Sequence, residues 1–151
     1  KTYYAIEHGY NSRLDELHAA ILRKKLLHLD DYISDRRRIA KRYDEELKST
    51  SLQLPVELPD NKHAYYLYVV RHPDRTWIME RLKEKSILLN ISYPWPIHTM
   101  TGYEYLGYKI GDLPETEKAS NEIFSLPMYP TLTFDEQSYV IDTIHDILRS
   151  L

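Results

Sequence analysis

Apolar residues recur at helical spacing over the first third of the chain. From Ser12 to about Lys48 an apolar position returns every three or four residues, and only Arg36 interrupts the stripe. This period predicts an amphipathic segment that forms one long helix or two helices joined by a kink. Ser12 followed by Asp15 is typical of an N-cap, so we expect the helix to begin there. The stripe contains Leu22, Leu26, Leu29, Ile33, Ala40, Tyr43 and Leu47.

The period changes after an irregular segment, residues 49–62, that the prolines mark as a connecting loop. The stretch "HAYYLYVVRH", residues 63–72, is rich in tyrosine and valine and alternates, which predicts a half-buried strand. Residues 75–85 then have the spacing of a short helix capped by Asp74. The following "SILLNISY", residues 86–93, predicts a second strand.

The last third of the chain is divided by prolines. Pro94 and Pro96 break regular structure because each removes a backbone donor and fixes φ. We expect a loop at "YEYLGY", a helix launched by Pro114, an extended segment "SLPMYP" and a final helix from Thr133 or Asp135 to about Arg149. The sum is an α+β fold, a small sheet covered by helices.

Composition excludes several classes of function. The 151 residues are 42% hydrophobic, enough for one sizeable core, and the net charge of −3 gives no overall attraction to nucleic acid or to an anionic membrane. The absence of cysteine excludes disulfides and thiolate metal sites and is compatible with a cytoplasmic protein. No apolar run approaches the roughly 20 residues of a membrane helix. With four glycines in all, a glycine-rich phosphate loop is not expected.

Two polar patterns have more than one explanation. His8, His18 and His28 are evenly spaced, but ten helical residues turn roughly 280° beyond two full turns, so we expect no metal site. The basic run "DRRRIAKRY", residues 35–43, is either a phosphate-binding face or a solvated helix face paired with its acidic neighbours.

The segments "YPWPIH" and "GYNSR" are candidates for chemistry. Proline stiffness would hold Tyr93 and His98 roughly 15 Å apart if the chain runs straight, which suits a pocket wall or a surface loop. Asn11 stands directly before the predicted cap Ser12. It is either part of an over-determined helix cap or a free amide that donates to an anion.

Five segments occur in an order that resembles the DegT/DnrJ/EryC1/StrS family, the pyridoxal-phosphate-dependent aminotransferases that act on nucleotide-linked keto sugars. They are "GYNSRLDELHAAILRKKLLHLD", "RRRIAKRYDEEL", "HAYYLYVVR", "YPWPIH" and "GDLPETEKASNEIFSLPMYPTLT". The resemblance covers nearly the whole chain. It implies the C-terminal part of an aspartate-aminotransferase-like, fold type I enzyme. Residues 1–48 would form interdomain and dimer-interface helices, and residues 49–151 the small α+β domain with its antiparallel sheet.

The resemblance also implies roles for four residues. Asn11 would hydrogen-bond the pyridoxal 5′-phosphate of the neighbouring subunit in a homodimer, and Arg13 would lie near that site. His98 and Tyr93 would line the pocket for the nucleotide-linked keto sugar, with glutamate as the amino donor.

The same resemblance places the catalytic residues elsewhere. The lysine that forms the Schiff base and the aspartate that pairs with the cofactor ring belong to an upstream segment, and no lysine here stands in such a setting. The chain begins on Lys1, so we expect that a longer protein has been cut and that this piece alone is inactive. The alternative is a freestanding interaction or regulatory module that retains the fold.

Overall fold

The computed structural model describes residues 14–151 and confirms an α+β fold. The chain divides into two compact units between Tyr32 and Ile33, and each is described by itself. The predicted domain division at residues 48 and 49 stays a prediction. In chain order the elements are α1 (Glu16–Leu26), α2 (Leu29–Leu47), β1 (Tyr68–Arg71), α3 (Arg75–Glu84), two 3₁₀ helices (Ile97–Thr99 and Thr101–Leu106), α4 (Pro114–Glu122), β2 (Ile123–Leu126) and α5 (Phe134–Arg149).

The N-terminal stripe forms two helices. Leu27 caps α1 and α2 begins at Leu29, which agrees with the kinked alternative. Asp15 has extended backbone angles (φ −63°, ψ 143°), so α1 begins after Asp15 and the predicted start at Ser12 is wrong, although Ser12 itself lies outside the described residues. No residue of α1 is buried. The apolar side chains Leu17, Ile21, Leu22 and Leu26 are all exposed among residues 14–151, so the apolar face expected for this helix stays a prediction.

The core of the second unit lies between a short sheet and three helices. β1 and β2 pair antiparallel, with Tyr68 opposite Leu126 and Arg71 opposite Ile123. The second half of α2 packs on this sheet together with α3 and α5. The buried apolar residues include Ile39, Ala40, Tyr43 and Leu47 of α2, Tyr68 and Val70 of β1, Ile78 and Leu82 of α3, Phe124 and Leu126 of β2, and Val140, Ile141, Ile144 and Ile147 of α5.

The first predicted strand is shorter than the pattern indicated. β1 covers Tyr68–Arg71 rather than residues 63–72, because Tyr65 adopts a positive φ of 47° that interrupts extended backbone. The Arg36 guanidinium donates to the carbonyls of Tyr65 and Tyr66, which holds this turn in place.

The second predicted strand, residues 86–93, is wrong. Only Asn90 makes a bridge, to Ser125, and Ser86 has a positive φ of 61°. The partner of β1 is instead β2, which overlaps the predicted extended segment at residues 125–130. The "YEYLGY" segment, predicted as a loop, contributes to a 3₁₀ helix.

The two C-terminal helices agree with the sequence pattern. α4 begins with Pro114 as its first residue, where a missing N–H costs nothing. α5 is capped by Thr133, whose hydroxyl accepts from the Glu136 N–H while the Glu136 carboxylate accepts from the Thr133 N–H. None of the helices in the described part of the chain is long and apolar enough to cross a membrane.

The basic run on α2 is largely occupied by the fold. Arg38 with Asp35 and Lys41 with Glu45 are the predicted pairs along a solvated face. The other three arginines bind outside the helix, so the solvated-face interpretation is wrong for them. Arg36 donates to three carbonyls (Tyr65, Tyr66 and Met128), Arg37 binds Glu57 and the His63 carbonyl, and Arg42 binds the Phe134 carbonyl and the Ser138 hydroxyl.

Replacing Arg36 by alanine tests the contribution of its three hydrogen bonds to stability. We call these bonds, to the carbonyls of Tyr65, Tyr66 and Met128, the Arg36 clamp. Because its guanidinium joins α2 to two distant segments, we expect Arg36→Ala to lower the free energy of unfolding by about 2 kcal/mol. Arg38→Ala is the matched control, with an expected loss below about 0.5 kcal/mol because its partner Asp35 is an exposed neighbour one turn away. Urea titration measures both, and equal losses would contradict the clamp.

Candidate functional site

His98 is turned into the protein by a tight local helix. Pro96 has extended angles (φ −61°, ψ 134°), after which Ile97–Thr99 form a 3₁₀ turn. The Pro96 carbonyl accepts from both the backbone N–H and the hydroxyl of Thr99, at 3.1 and 2.9 Å. His98 is therefore 6% exposed although Ile97 is 60% exposed. The chain does not run straight from Tyr93 to His98, so the 15 Å estimate does not apply.

The buried imidazole is paired with a carboxylate from α4. Nε2 of His98 lies 3.0 Å from Oε1 of Glu117, and the same oxygen accepts from the Gly111 N–H at 2.7 Å. The Tyr108 ring meets the imidazole edge-on, with centroids 6.4 Å apart and planes at 76°. One carboxylate oxygen thus joins the 3₁₀ turn at His98, the turn at Gly111 and helix α4.

These hydrogen bonds stabilise the ionised form of Glu117. The bond from His98, followed by that from Gly111, lowers the pKa of the Glu117 carboxyl below its usual 4.5, although burial opposes the shift. At neutral pH the group is a carboxylate, which accepts hydrogen bonds and donates none.

Several aromatic and aliphatic side chains near His98 in the sequence are exposed. Tyr93 is 75% exposed, so the structure directs it to the surface while His98 is buried on the same segment. The exposed members between residues 93 and 110 include Tyr93, Trp95, Ile97, Tyr103, Tyr105, Tyr108 and Ile110. Exposed aromatic side chains close in sequence to a buried polar pair make this segment a candidate for binding another molecule.

The other two candidate residues, Asn11 and Arg13, lie outside the described residues. Their assigned roles, like those of His98 and Tyr93, stay predictions.

Sequence reasoning missed Glu117 and Gly111. Glu117 lies in the first turns of α4, where an acidic residue is expected for its effect on the helix dipole alone. Gly111 has a φ of 97°, which is visible only in the structure. No spacing rule connects either residue to His98, because the contacts form between separate elements.

Comparison with known proteins identifies the family. The model of the DegT/DnrJ/EryC1/StrS aminotransferase family matches residues 1–145. The chain belongs to this family. The resemblance drawn from the five sequence segments is therefore confirmed.

Individual members of the family cover nearly all of the chain. A dTDP-3-amino-3,4,6-trideoxy-alpha-D-glucose transaminase of Micromonospora megalomicea subsp. nigra is 51% identical over 148 residues, which are 95% of this chain and 40% of that protein. A pleiotropic regulatory protein of Geobacillus stearothermophilus is 41% identical over 150 residues, 97% of this chain and 40% of that protein.

A solved structure gives the same picture. The crystal structure of S. venezuelae DesV, in complex with a ketimine intermediate, is 33% identical and superposes with a TM-score of 0.90. The match covers 97% of this chain and 40% of DesV. The chain thus spans about 40% of the length of the relatives it matches.

Gly111→Ala tests the turn that brings its N–H to Glu117. A Cβ at Gly111 would meet no atom within 4 Å, so the cost is conformational, and we expect the free energy of unfolding to fall by about 1 kcal/mol. Gly102→Ala is the control, because that Cβ also meets open space and its φ is not positive. Urea denaturation should show a loss for the first variant only, and a loss of equal size in both would be evidence against backbone strain at Gly111.

The lowered carboxyl pKa values predict acid sensitivity. The pKa of Glu57 is lowered by Arg37 as that of Glu117 is by His98. A carboxyl with a lower pKa in the folded state stabilises the fold fully above the unfolded value, near 4.5, and this contribution is lost as the pH falls through the folded pKa. We expect the free energy of unfolding to decline as the pH falls below 4.5, and less steeply in Glu117→Gln. A stability that is constant or rises from pH 4.5 to about 3 would refute this.

Proposed function

We propose that this chain is the C-terminal part of a pyridoxal-phosphate-dependent aminotransferase that transfers an amino group from glutamate to a nucleotide-linked keto sugar. The observation that carries the proposal is the 51% identity, over 148 residues, with a dTDP-amino-sugar transaminase. Pyridoxal phosphate is the cofactor that membership of the family implies. The enzyme acts in the cytoplasm as a homodimer.

His98 and Tyr93 form the sugar side of the pocket in this proposal. A sugar presents hydroxyl groups, each of which needs a hydrogen-bond partner when it leaves water. The imidazole of His98 is buried, is held by Glu117 and lies edge-on to Tyr108, so it offers a fixed polar group beside an aromatic ring. Tyr93 is exposed on the same segment and is available to contact the sugar or its nucleotide.

The cofactor contact is proposed for Asn11, with Arg13 beside it. The side-chain amide of Asn11 donates to the cofactor phosphate held by the neighbouring subunit. Support for a subunit boundary comes from α1, which follows these residues and buries none of its side chains. Leu17 and Ile21, one turn apart on this helix, are 72% and 46% exposed, an apolar face suited to another protein surface.

The described residues do not by themselves form a site for the cofactor. Pyridoxal enzymes use a lysine held inside the pocket, whereas every lysine between residues 14 and 151 is exposed. When bound, the cofactor supplies the electron sink for amino transfer. In the proposed enzyme the groups that hold it come mainly from a part of the protein other than this chain, and we assign no catalytic residue here.

A second candidate function is regulatory. The relative from Geobacillus stearothermophilus is named a pleiotropic regulatory protein, and this favours a module that retained the fold without the reaction. The two candidates differ in the full-length gene product. An aminotransferase retains pyridoxal phosphate and aminates a keto sugar with glutamate, and a regulatory module does neither.

Two substitutions in the full-length gene product separate the proposed roles. We expect Asn11→Ala to lower the cofactor retained after gel filtration, because a phosphate contact is lost. We expect His98→Asn to raise KM for the nucleotide-linked keto sugar with little change in cofactor content, because its imidazole faces the sugar. The measurements are bound pyridoxal phosphate per subunit and steady-state kinetics with glutamate.

The proposal requires that Asn11→Ala loses cofactor and that His98→Asn raises KM while it keeps the cofactor. If both variants lose cofactor equally, His98 has been assigned to the wrong side of the site. If Asn11→Ala retains the cofactor as the unmodified protein does, the phosphate contact is refuted. His28→Asn provides the control, because His28 is an exposed histidine at the end of the α1 region and should change neither quantity.

A further inference from the structure

The geometry points to Glu117 as a positioning residue that holds the proton of His98 on Nε2 and so presents Nδ1 to a hydroxyl of the sugar. This inference rests on the proposed function for its substrate and adds a residue that the family resemblance did not assign.

The chemistry of the contact between His98 and Glu117 determines which atom donates. The two atoms, His98 Nε2 and Glu117 Oε1, are 3.0 Å apart, a normal hydrogen-bond distance. A carboxylate has no proton to give, so Nε2 must be the donor in both the neutral and the charged imidazole. The lowered pKa of Glu117 supports this, because the group stays ionised at neutral pH. The neutral ring therefore has its free lone pair on Nδ1.

Nδ1, the other ring nitrogen of His98, is left to accept a hydrogen bond from a ligand. Among residues 14–151 the His98 imidazole makes one hydrogen bond, from Nε2 to Glu117, and Nδ1 makes none. Within the same range Arg75 Nε is the only fully buried side-chain nitrogen or oxygen atom without a hydrogen-bond partner. Nδ1 of His98, which has no partner among these residues, is therefore not fully buried. A neutral imidazole in this state accepts one hydrogen bond at Nδ1, and the O–H of a sugar hydroxyl is a donor of matching chemistry.

The Glu117 carboxylate that holds the imidazole is itself held in place. Oε1 of Glu117 also accepts from the Gly111 N–H, so it is held from two directions. Its side chain extends from the first turn of α4, a regular element, rather than from a loop. A side chain that binds a ligand keeps its orientation through contacts with neighbouring residues. Here one oxygen of Glu117 holds both the His98 imidazole and the turn at Gly111.

The competing explanation is that Glu117 is only an acidic residue near the start of a helix, stabilised by the helix dipole. Glu115 provides the comparison on the same helix. It carries the same charge in the same first turn, two residues closer to the N-terminus, and is exposed. If only the charge matters, substitution of Glu115 has an effect at least as large as substitution of Glu117.

The experiment uses the full-length protein labelled with ¹⁵N-histidine, and His98→Asn assigns the His98 signals by difference. In the unmodified protein we expect a protected, downfield Nε2–H signal from His98, because that proton is hydrogen-bonded to Glu117. Glu117→Ala should lose the signal to solvent exchange, and Glu117→Gln should keep it, since the amide oxygen can accept the same bonds. Glu115→Ala should leave it unchanged.

Kinetics supply the second readout. We expect Glu117→Ala to raise KM for the keto sugar roughly tenfold, the effect of one weakened hydrogen bond, with a smaller change in kcat. Glu117→Gln should restore most of the loss. If Glu117→Ala fails to fold, Glu117→Asp replaces it, because the shorter side chain keeps the charge but draws the carboxylate back from His98.

Three results would overturn the inference: a His98 Nε2–H signal that persists without Glu117, equal effects of Glu115→Ala and Glu117→Ala, or an unchanged KM in Glu117→Ala. A protein that retains no cofactor and aminates no sugar would overturn the proposed function instead. In that case the His98 signal still decides whether Glu117 holds the ring, so the two failures are distinguishable.

Discussion

The pairing of two four-residue strands fixes the position of everything near the candidate site. β2 follows α4 without a loop, so the register of Tyr68 with Leu126 through Arg71 with Ile123 also fixes the end of that helix. Side chains near β1 reinforce this junction. Arg71 binds the Glu122 carboxylate at 2.8 Å, and Arg75 donates to the carbonyls of Ser120 and Ile123. Glu117 therefore sits on a helix anchored at its C-terminal end.

This anchored helix explains how a buried histidine is accommodated. A buried imidazole needs a hydrogen-bond partner for its polar atoms. The chain before His98 contains Pro94 and Pro96, which have no backbone N–H to donate. Glu117 supplies the partner from outside the segment and binds Gly111 with the same oxygen. The segment from His98 to Gly111, which contains Tyr103, Tyr105 and Tyr108, is thus joined at both ends to one carboxylate oxygen.

The arginines of α2 have a comparable role in the scaffold. In the sequence they form a single basic run, and the phosphate-binding interpretation required their charges to be free. In the structure Arg36 and Arg42 bind backbone carbonyls, and Arg37 makes two hydrogen bonds to Glu57. A planar guanidinium with five donors suits this use, because one side chain satisfies several acceptors at once. The interpretation as a phosphate-binding face loses most of its support for that reason.

The sequence by itself determined the elements whose signals are local. The helix that begins at Pro114 and the capping box of Thr133 and Glu136 depend on residues within one turn of each other, and the α+β class follows from the change of period along the chain. The family was also readable, because its motifs are contiguous segments. Only the tertiary structure decided the strand that pairs with β1, the turn at Tyr65 and the contact of His98 with Glu117. Each of these joins residues that are distant in sequence, and the free energy that selects them comes from packing and hydrogen bonds between elements.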